Sequence, residues 1–532
     1  MAALTTPATR ASRLRRPPRW LVRTFDVVIV VVLTVVAYRL RHGGLPTDGL
    51  WFDDSWVAAG ALRGHLTEIM TVGSGQPGFT ALLMAWHHLG SGSLRSLALP
   101  ALAMGTITPA VLYLSLRSFG YRRAIAVLLA SAAVVAGVDI LYSGRVKPYT
   151  FDPVLILGIG VLLPWLARRT WRWPLAVGWV VFALLVGSFS GYVLVATAAA
   201  GVVLFLHPAG DRLVRGGALG AQALGQLVFY LWAQRSTDLE AVEEVIGQGS
   251  DAHLHLYANP FRFGSEILTH LGRVAWIYPG GGGAWLKVLG VIAVAGLIAA
   301  SVRSPRRNEL LPARYLLITF AAAVIGALLG KLPFGPVTNN FFSSSGRYDL
   351  WLLPSMAVGL AAALTRVRDL ARDRVVLARA FDVALIVIAI VVLVQGYRDP
   401  IPYPFPGSAS TTRYVEHQMG PHDVVLLPGP SMFAFADASR LPVTLRATPD
   451  RQVGFTIHFA DPRVHSTGYW GEDEQTPSRV RELVGDASRV FVPADPLFGA
   501  GAAASIGKVL QADGYRPTTV KFGDDTVTVW QR

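Results

Sequence analysis

Between residues 22 and 396 the sequence returns about eleven times to a long apolar run, and short arginine-rich segments separate many of these runs. Runs near 18 residues are long enough to cross a bilayer as helices. Inside lipid a backbone must satisfy its own hydrogen bonds, which restricts such runs to helices. This one feature predicts an α-helical polytopic membrane protein. Charged residues make up 15% of the chain and hydrophobic ones 52%, against roughly 25% charged in a soluble domain.

The arginines predict an orientation. Arg10, Arg13, Arg15, Arg16, Arg19 and Arg23 precede or open the first helix; further clusters are Arg168, Arg169 and Arg172, then Arg303, Arg306, Arg307 and Arg314, and Arg366 to Arg379. Placed on the cytoplasmic side, they follow the positive-inside rule. They also account for most of the net charge of +14 without nucleic acid. No small-residue cleavage site follows the first run, so it reads as a retained helix with a cytoplasmic N-terminus, not a signal peptide. The chain has no cysteine, which excludes disulfides, thiol catalysis and cysteine metal sites.

The expected helices cover about 22–40, 95–116, 121–141, 152–167, 173–187, 190–206, 214–233, 285–302, 313–330, 348–364 and 380–396. Residues 1–21 form a basic cytoplasmic segment and 22–399 a transmembrane domain, with outer loops at 41–93, 234–284 and 331–347. Pro77 to Leu89 reads as a helix of about 13 residues, too short to span, lying along the interface. Thr237-Asp238-Leu239-Glu240 has capping-box form ahead of a short acidic helix. After the proline-rich linker Pro400 to Pro406, strands at Asp423–Pro428 and Arg489–Pro493, a helix at Ala502–Asp513 and a hairpin at Thr518–Trp530 predict a small α/β domain, 400–532, on the outer face. It carries no grouping of acid, base and cation, so it is expected to serve acceptor choice or assembly, and residues 1–400, if they can be expressed folded, are expected to retain donor binding.

Three clusters fall on the outer side under this one topology. Leu50-Trp51-Phe52-Asp53-Asp54-Ser55-Trp56 places two carboxylates where the chain leaves the membrane, a costly position unless they are solvated, paired or used. They suit general-base work, with one acid orienting the other or helping to bind a cation; they equally suit a helix cap. Arg145, Lys147, Tyr149 and Asp152 form the second cluster, and Lys331, Arg347 and Tyr348 the third. Cations on an outer face run against the charge rule. They suit either phosphate binding or snorkelling to lipid headgroups. His253 and His255, near Asp251, make a weak metal-site candidate without a third firm ligand.

These segments resemble the GT-C glycosyltransferases that use polyprenyl-phosphate sugars, nearest the bacterial relatives of protein O-mannosyltransferases and of the lipid A aminoarabinose transferase. The matching residues are Leu50 to Trp56, Gln76-Pro77-Gly78, Tyr142-Ser143, Lys147-Pro148-Tyr149 with Asp152, Pro333-Phe334, Arg347-Tyr348 and Leu353-Pro354. Asp54 stands where relatives carry glutamate, and Arg145 near where many carry an acid. The resemblance implies an inverting transfer in a bacterial plasma membrane from a polyprenyl-phosphate-linked sugar to an envelope glycan, lipid or protein acceptor. It implies Asp53 as base with Asp54 beside it, and Lys147, Arg347, Arg145 or Lys331, with Tyr149 and Tyr348, around the donor phosphate. Asp152 stands as a second acid or a helix cap. No cofactor is required by the motifs, and a divalent cation, Mg or Mn, is left open. Composition makes mannose or arabinose plausible. A lipid-linked glycan ligase or polymerase, or a lipid or sugar transporter, are the competing functions.

The topology is testable directly. Reporter fusions after residues 170 and 370 are expected to read cytoplasmic, and one after residue 410 periplasmic; a cytoplasmic tail would overturn the orientation and count.

Overall fold

The computed structural model describes residues 19–50, 52–63, 77–90, 93–208, 211–235, 260–274, 283–302, 307–329, 332, 347–398, 407–429, 431–447, 455–467, 476–494 and 500–532. Every predicted apolar run is helical. The first part comprises α1 (Arg19–His42), α2 (Phe52–Arg63), α3 (Pro77–Leu89), α4 (Leu94–Leu97), α5 (Leu99–Ser118), α6 (Arg123–Val134), α7 (Gly137–Ser143) and α8 (Phe151–Arg168). The second comprises α9 (Trp173–Gly187), α10 (Gly191–Leu206), α11 (Arg212–Arg235), α12 (Pro260–Arg273), α13 (Gly283–Val302), α14 (Arg307–Leu328), α15 (Leu353–Leu370) and α16 (Val375–Arg398). Among the described residues, six helices are long and apolar enough to cross a membrane, or seven with α6 and α7 as one bent span. Val27, Val31 and Val35 on α1, Val177 and Val181 on α9, and Val383 and Val387 on α16 are exposed, an apolar surface far beyond that of a soluble monomer. The chain is a multi-pass membrane protein.

In lipid, helices gain little by hiding apolar surface from one another, so small residues and polar contacts set their packing. At the crossing of α13 and α15, a Cβ on Gly296 would lie 2.0 Å from the Gly359 carbonyl oxygen. The arginine-rich end is pinned by charge. Arg123 binds Asp26 of α1 at 2.7 Å, and Arg368 binds Asp382 at 3.0 Å. Buried Arg215 donates to the carbonyls of Ala167 and Leu204, which are last-turn groups of α8 and α10 that have no partner within their own helices.

One predicted helix is broken. The run 121–141 is α6 plus α7, bent by 53°, because Ala136 leaves the helical region at φ −60°, ψ 112°. Fully buried Arg41, in the last turn of α1, occupies the break. It donates to the Val134 carbonyl at 2.9 Å and the Ala133 carbonyl at 3.1 Å, and pairs with Asp139 of α7 at 2.6 Å. A second difference is α12, an amphipathic helix inside the expected loop 234–284. The capping box at Thr237 to Glu240 and the histidines at 253 and 255 lie outside the described residues.

The tail is an α/β domain, as predicted, but with more elements. After α17 (Ser408–Gln418) come β1 (Asp423–Leu427), α18 (Ser431–Ala438), β2 (Val443–Ala447), β3 (Phe455–Phe459), β4 (Val464–Ser466), α19 (Pro477–Val484), β5 (Arg489–Ala494), α20 (Ala500–Ala512), β6 (Arg516–Phe522) and β7 (Asp525–Gln531). The main sheet has the order β4-β1-β5-β7-β6, and β2-β3 form a separate pair. β1 is parallel to β4 and β5; β7 is antiparallel to β5 and β6. Burial pushes the Asp423 carboxyl up, but Arg489 and the Gly420 amide outweigh it and hold it below the usual carboxylate range.

The tail is not an appendage. Its core of Val425, Leu427, Phe433, Phe435, Ile457 and Phe491 includes Ala59 of α2, with Trp56 packed against it. The hinge is hydrogen-bonded as well: the Ala409 amide donates to Asp48, the Ser408 hydroxyl to Leu50, and Arg413 to the Asp48 carboxylate. Cutting at residue 400 would strip one wall from the helix that carries the acids. Phe433→Ala empties a fully buried site in this shared core. The expected loss is about 3–5 kcal/mol, read as a lower melting temperature of the tail and of α2 by hydrogen exchange; protection lost in the tail alone would separate the two.

Candidate functional site

Asp53 and Asp54 lie in the first turn of α2, not in a loop. The Asp54 side chain is 2% exposed and its Oδ2 sits 2.9 Å from Nε of Arg145, itself 6% exposed. A buried charge needs a partner of this kind. Two residues further along each segment, the Lys147 Nζ lies 4.5 Å from the centre of the Trp56 ring, a face that stabilises an ammonium without adding opposite charge. The acid helix and the cationic loop therefore meet along matched positions, 54 with 145 and 56 with 147.

Loops normally run over the surface because their backbone groups need water. Here Ser143, Arg145, Val146, Lys147, Tyr149 and Thr150 are all buried. Local contacts explain how. Gly144 abuts the backbone of Gly44, where a Cβ would come within 2.1 Å of the carbonyl oxygen. Pro148–Thr150 turns as a 3-10 helix, the Thr150 hydroxyl donates to Ala101 at 3.0 Å, and the Tyr142 and Tyr149 rings meet edge to face at 5.2 Å. The loop is entered from α7, so the Arg41–Asp139 clasp at the helix break fixes where it starts.

The third cluster approaches the same loop through its backbone. Arg347–Leu352 is a second 3-10 helix in contact with the first, and Leu350 packs with Tyr149, Tyr142 and Val138. Buried Asp349 anchors it, 3.0 Å from Nδ1 of His270 on α12. Arg347 and Tyr348 thus start an element seated against Pro148–Thr150. Lys331 lies outside the described residues. Asp152 is in the first turn of α8, 1% exposed. It accepts a hydrogen bond from Ser190, whose oxygen caps α10 by accepting from the Val193 amide. Its Oδ1 is buried without a hydrogen-bond partner among the described residues.

Arg41 and Asp139 were not singled out by their sequence pattern, and Trp56 only as the end of the Leu50–Trp56 segment. The available signal for the first two was an acid within an apolar run and an arginine just after another, each costly unless paired. As for a divalent cation, the described residues do not fit one at Asp54. Its carboxylate is already held by the Arg145 guanidinium, so a metal ion on it would lie against a fixed positive charge. No group of three or more His, Asp or Glu suited to a metal occurs among the described residues.

Removing one member of the buried pair, by Arg145→Ala or Asp54→Asn, is expected to cost about 3–5 kcal/mol. The charge-free double variant Asp54→Asn, Arg145→Gln should recover much of it. Melting of the detergent-purified variants checks this; an additive double variant would show that the pair is not coupled.

No protein-family model matches the sequence, and no curated protein matches it. Solved structures do. ArnT from Cupriavidus metallidurans in the apo state aligns over 96% of this chain and 98% of its own, at 11% identity and a TM-score of 0.53. ArnT bound to undecaprenyl phosphate aligns over 97% and 98%, at 12% identity and 0.49. The Archaeoglobus fulgidus oligosaccharyltransferase in complex with Zn and sulfate aligns over 93% and 72%, at 13% identity and 0.47. Along nearly its whole length the chain shares the fold of the apo ArnT structure.

Proposed function

We propose that this protein is a membrane glycosyltransferase that moves a sugar from a polyprenyl-phosphate donor to an envelope acceptor, with inversion at the anomeric carbon. The observation that carries it is the buried meeting of the acid helix α2 with the cationic loop 145–149. Carboxylates and cations held together at one end of a helical bundle suit attack by a hydroxyl on a carbon that bears a phosphate leaving group. ArnT, whose fold the chain shares, has been crystallised with undecaprenyl phosphate.

In this reading Asp53 removes the proton from the acceptor hydroxyl as its oxygen attacks the anomeric carbon. The bond from that carbon to the phosphate oxygen breaks, and the electron pair leaves with the phosphate. Lys147 and Arg347 stabilise the growing negative charge, which is where fixed charges contribute most to rate. Asp54, committed to Arg145, serves as a positioning residue. The eleven helical runs act as eleven spans, with α3 along the interface, the N-terminus in the cytoplasm and the tail outside. The sugar is a hexose or a pentose, mannose and arabinose being the first to try. A ligase or polymerase would use the same face, and a transporter would need charges along a path through the bundle.

Asp53→Asn keeps the size of the side chain but cannot take the proton. Turnover is expected to fall about 10²–10⁴-fold while the affinity for undecaprenyl phosphate is kept. Lys147→Ala should instead weaken that affinity about 10- to 150-fold, the worth of a charged hydrogen bond of about 1.5–3 kcal/mol. Sugar transfer and lipid-phosphate binding, measured separately on purified protein, distinguish the two roles. Normal turnover by Asp53→Asn would remove the mechanism.

A further inference from the structure

We infer that Arg145 is the built-in cation of the acidic pair, and that it takes the place a divalent metal ion would hold at Asp54. This rests on the reading of the site as one for a polyprenyl phosphate. Arg145 Nε lies 2.9 Å from the Asp54 carboxylate, and both side chains are nearly out of solvent. A guanidinium stays protonated throughout the accessible pH range and offers five donors but no acceptor. Magnesium needs near-octahedral oxygen coordination, and a metal ion ligated by Asp54 would lie against this fixed positive charge. The loop that carries Arg145 cannot swing aside cheaply. Gly144 is wedged on Gly44, Val146 is fully buried, and the preceding helix is clasped by Arg41 through Asp139.

The consequence is a donor site whose charge balance belongs to the chain. Arg145 cancels Asp54, so an anionic lipid phosphate can approach the acidic pair without a metal ion to shield it. Chelation should leave phosphate binding intact. Removing Arg145 should expose a carboxylate able to recruit a metal ion.

The test uses full-length protein purified in detergent, treated with EDTA and desalted. Mn2+ is titrated in and the free ion is read by electron paramagnetic resonance. The wild type is expected to take up no more Mn2+ than the charge-free Asp54→Asn, Arg145→Gln variant, whereas Arg145→Ala should take up more. Undecaprenyl phosphate affinity of the wild type should stay within about twofold with and without EDTA. The inference is overturned if the wild type binds Mn2+ in excess of the charge-free variant. It is equally overturned if EDTA lowers the affinity about tenfold or more and Mn2+ restores it. Should Arg145→Ala not fold, the wild type against the charge-free variant decides the Mn2+ arm alone. A wild type that binds no undecaprenyl phosphate under any condition would defeat the donor reading, and the Mn2+ comparison would still decide the role of Arg145.

Discussion

The buried ion pair between Asp54 and Arg145 is the contact on which the candidate site depends. Such a pair contributes little to net stability, because desolvating two charges offsets most of their attraction. Its effect lies in what it forbids. Neither charge can be left alone out of water, so α2 and the loop 144–147 can meet in only one register. Everything around the pair holds that register. Arg41 clasps the break before α7, Gly44 and Gly144 let two backbone segments touch, and the tail packs on α2 through Trp56 and Ala59.

The same logic operates at the arginine-rich end. Apolar helix faces slide past one another at little cost in lipid, so their alignment is set by polar pins. Tyr121 donates to Glu309 at 2.5 Å, linking the start of α6 to α14. Asp26 gathers Tyr113, Arg123 and Arg117 around the base of α1. Asp26 and Arg41 are fifteen residues apart on one helix, about 22 Å at 1.5 Å per residue. One helix thereby carries an anchor at each end of the bundle. The anchor at one end helps fix α6, and the other fixes the break that follows it.

How far the sequence could be read follows from these distances. The helices were legible because each is announced by its own length and hydropathy, and the terminal hairpin by Gly523, which adopts φ 58°. The break after Val134 was not, since residues 121–141 are apolar apart from the first residues, Ser131 and Asp139; the partner of Asp139 lies 98 positions away. β4, three residues long, is too short to impose a pattern, and its place depends on β1, some forty residues earlier. In the site, Asp53, Asp54, Lys147, Arg347 and Asp152 stood out as charges in an unusual place. Arg145 stood out as well, but its placement against Asp54 is a tertiary fact. So is the Trp56 ring under Lys147. The meeting of the tail with α2 left no mark that alternation or spacing could show.

On the proposed reading of the site, the pair also bears on how charge is distributed around a donor phosphate. Asp54 and Arg145 sum to zero and are enclosed, so they set position without adding net charge to the site. In the proposed function the groups left to act on the donor are Lys147, the arginine that opens the neighbouring 3-10 helix, and Asp53 as base. A base of this kind works best when no permanent cation is bonded to it, because an ion pair lowers its affinity for a proton. Committing Arg145 to Asp54 keeps that guanidinium occupied. The second acid of the pair, in this account, does not share the proton transfer: it holds a cation in place so that the first acid can remain a base.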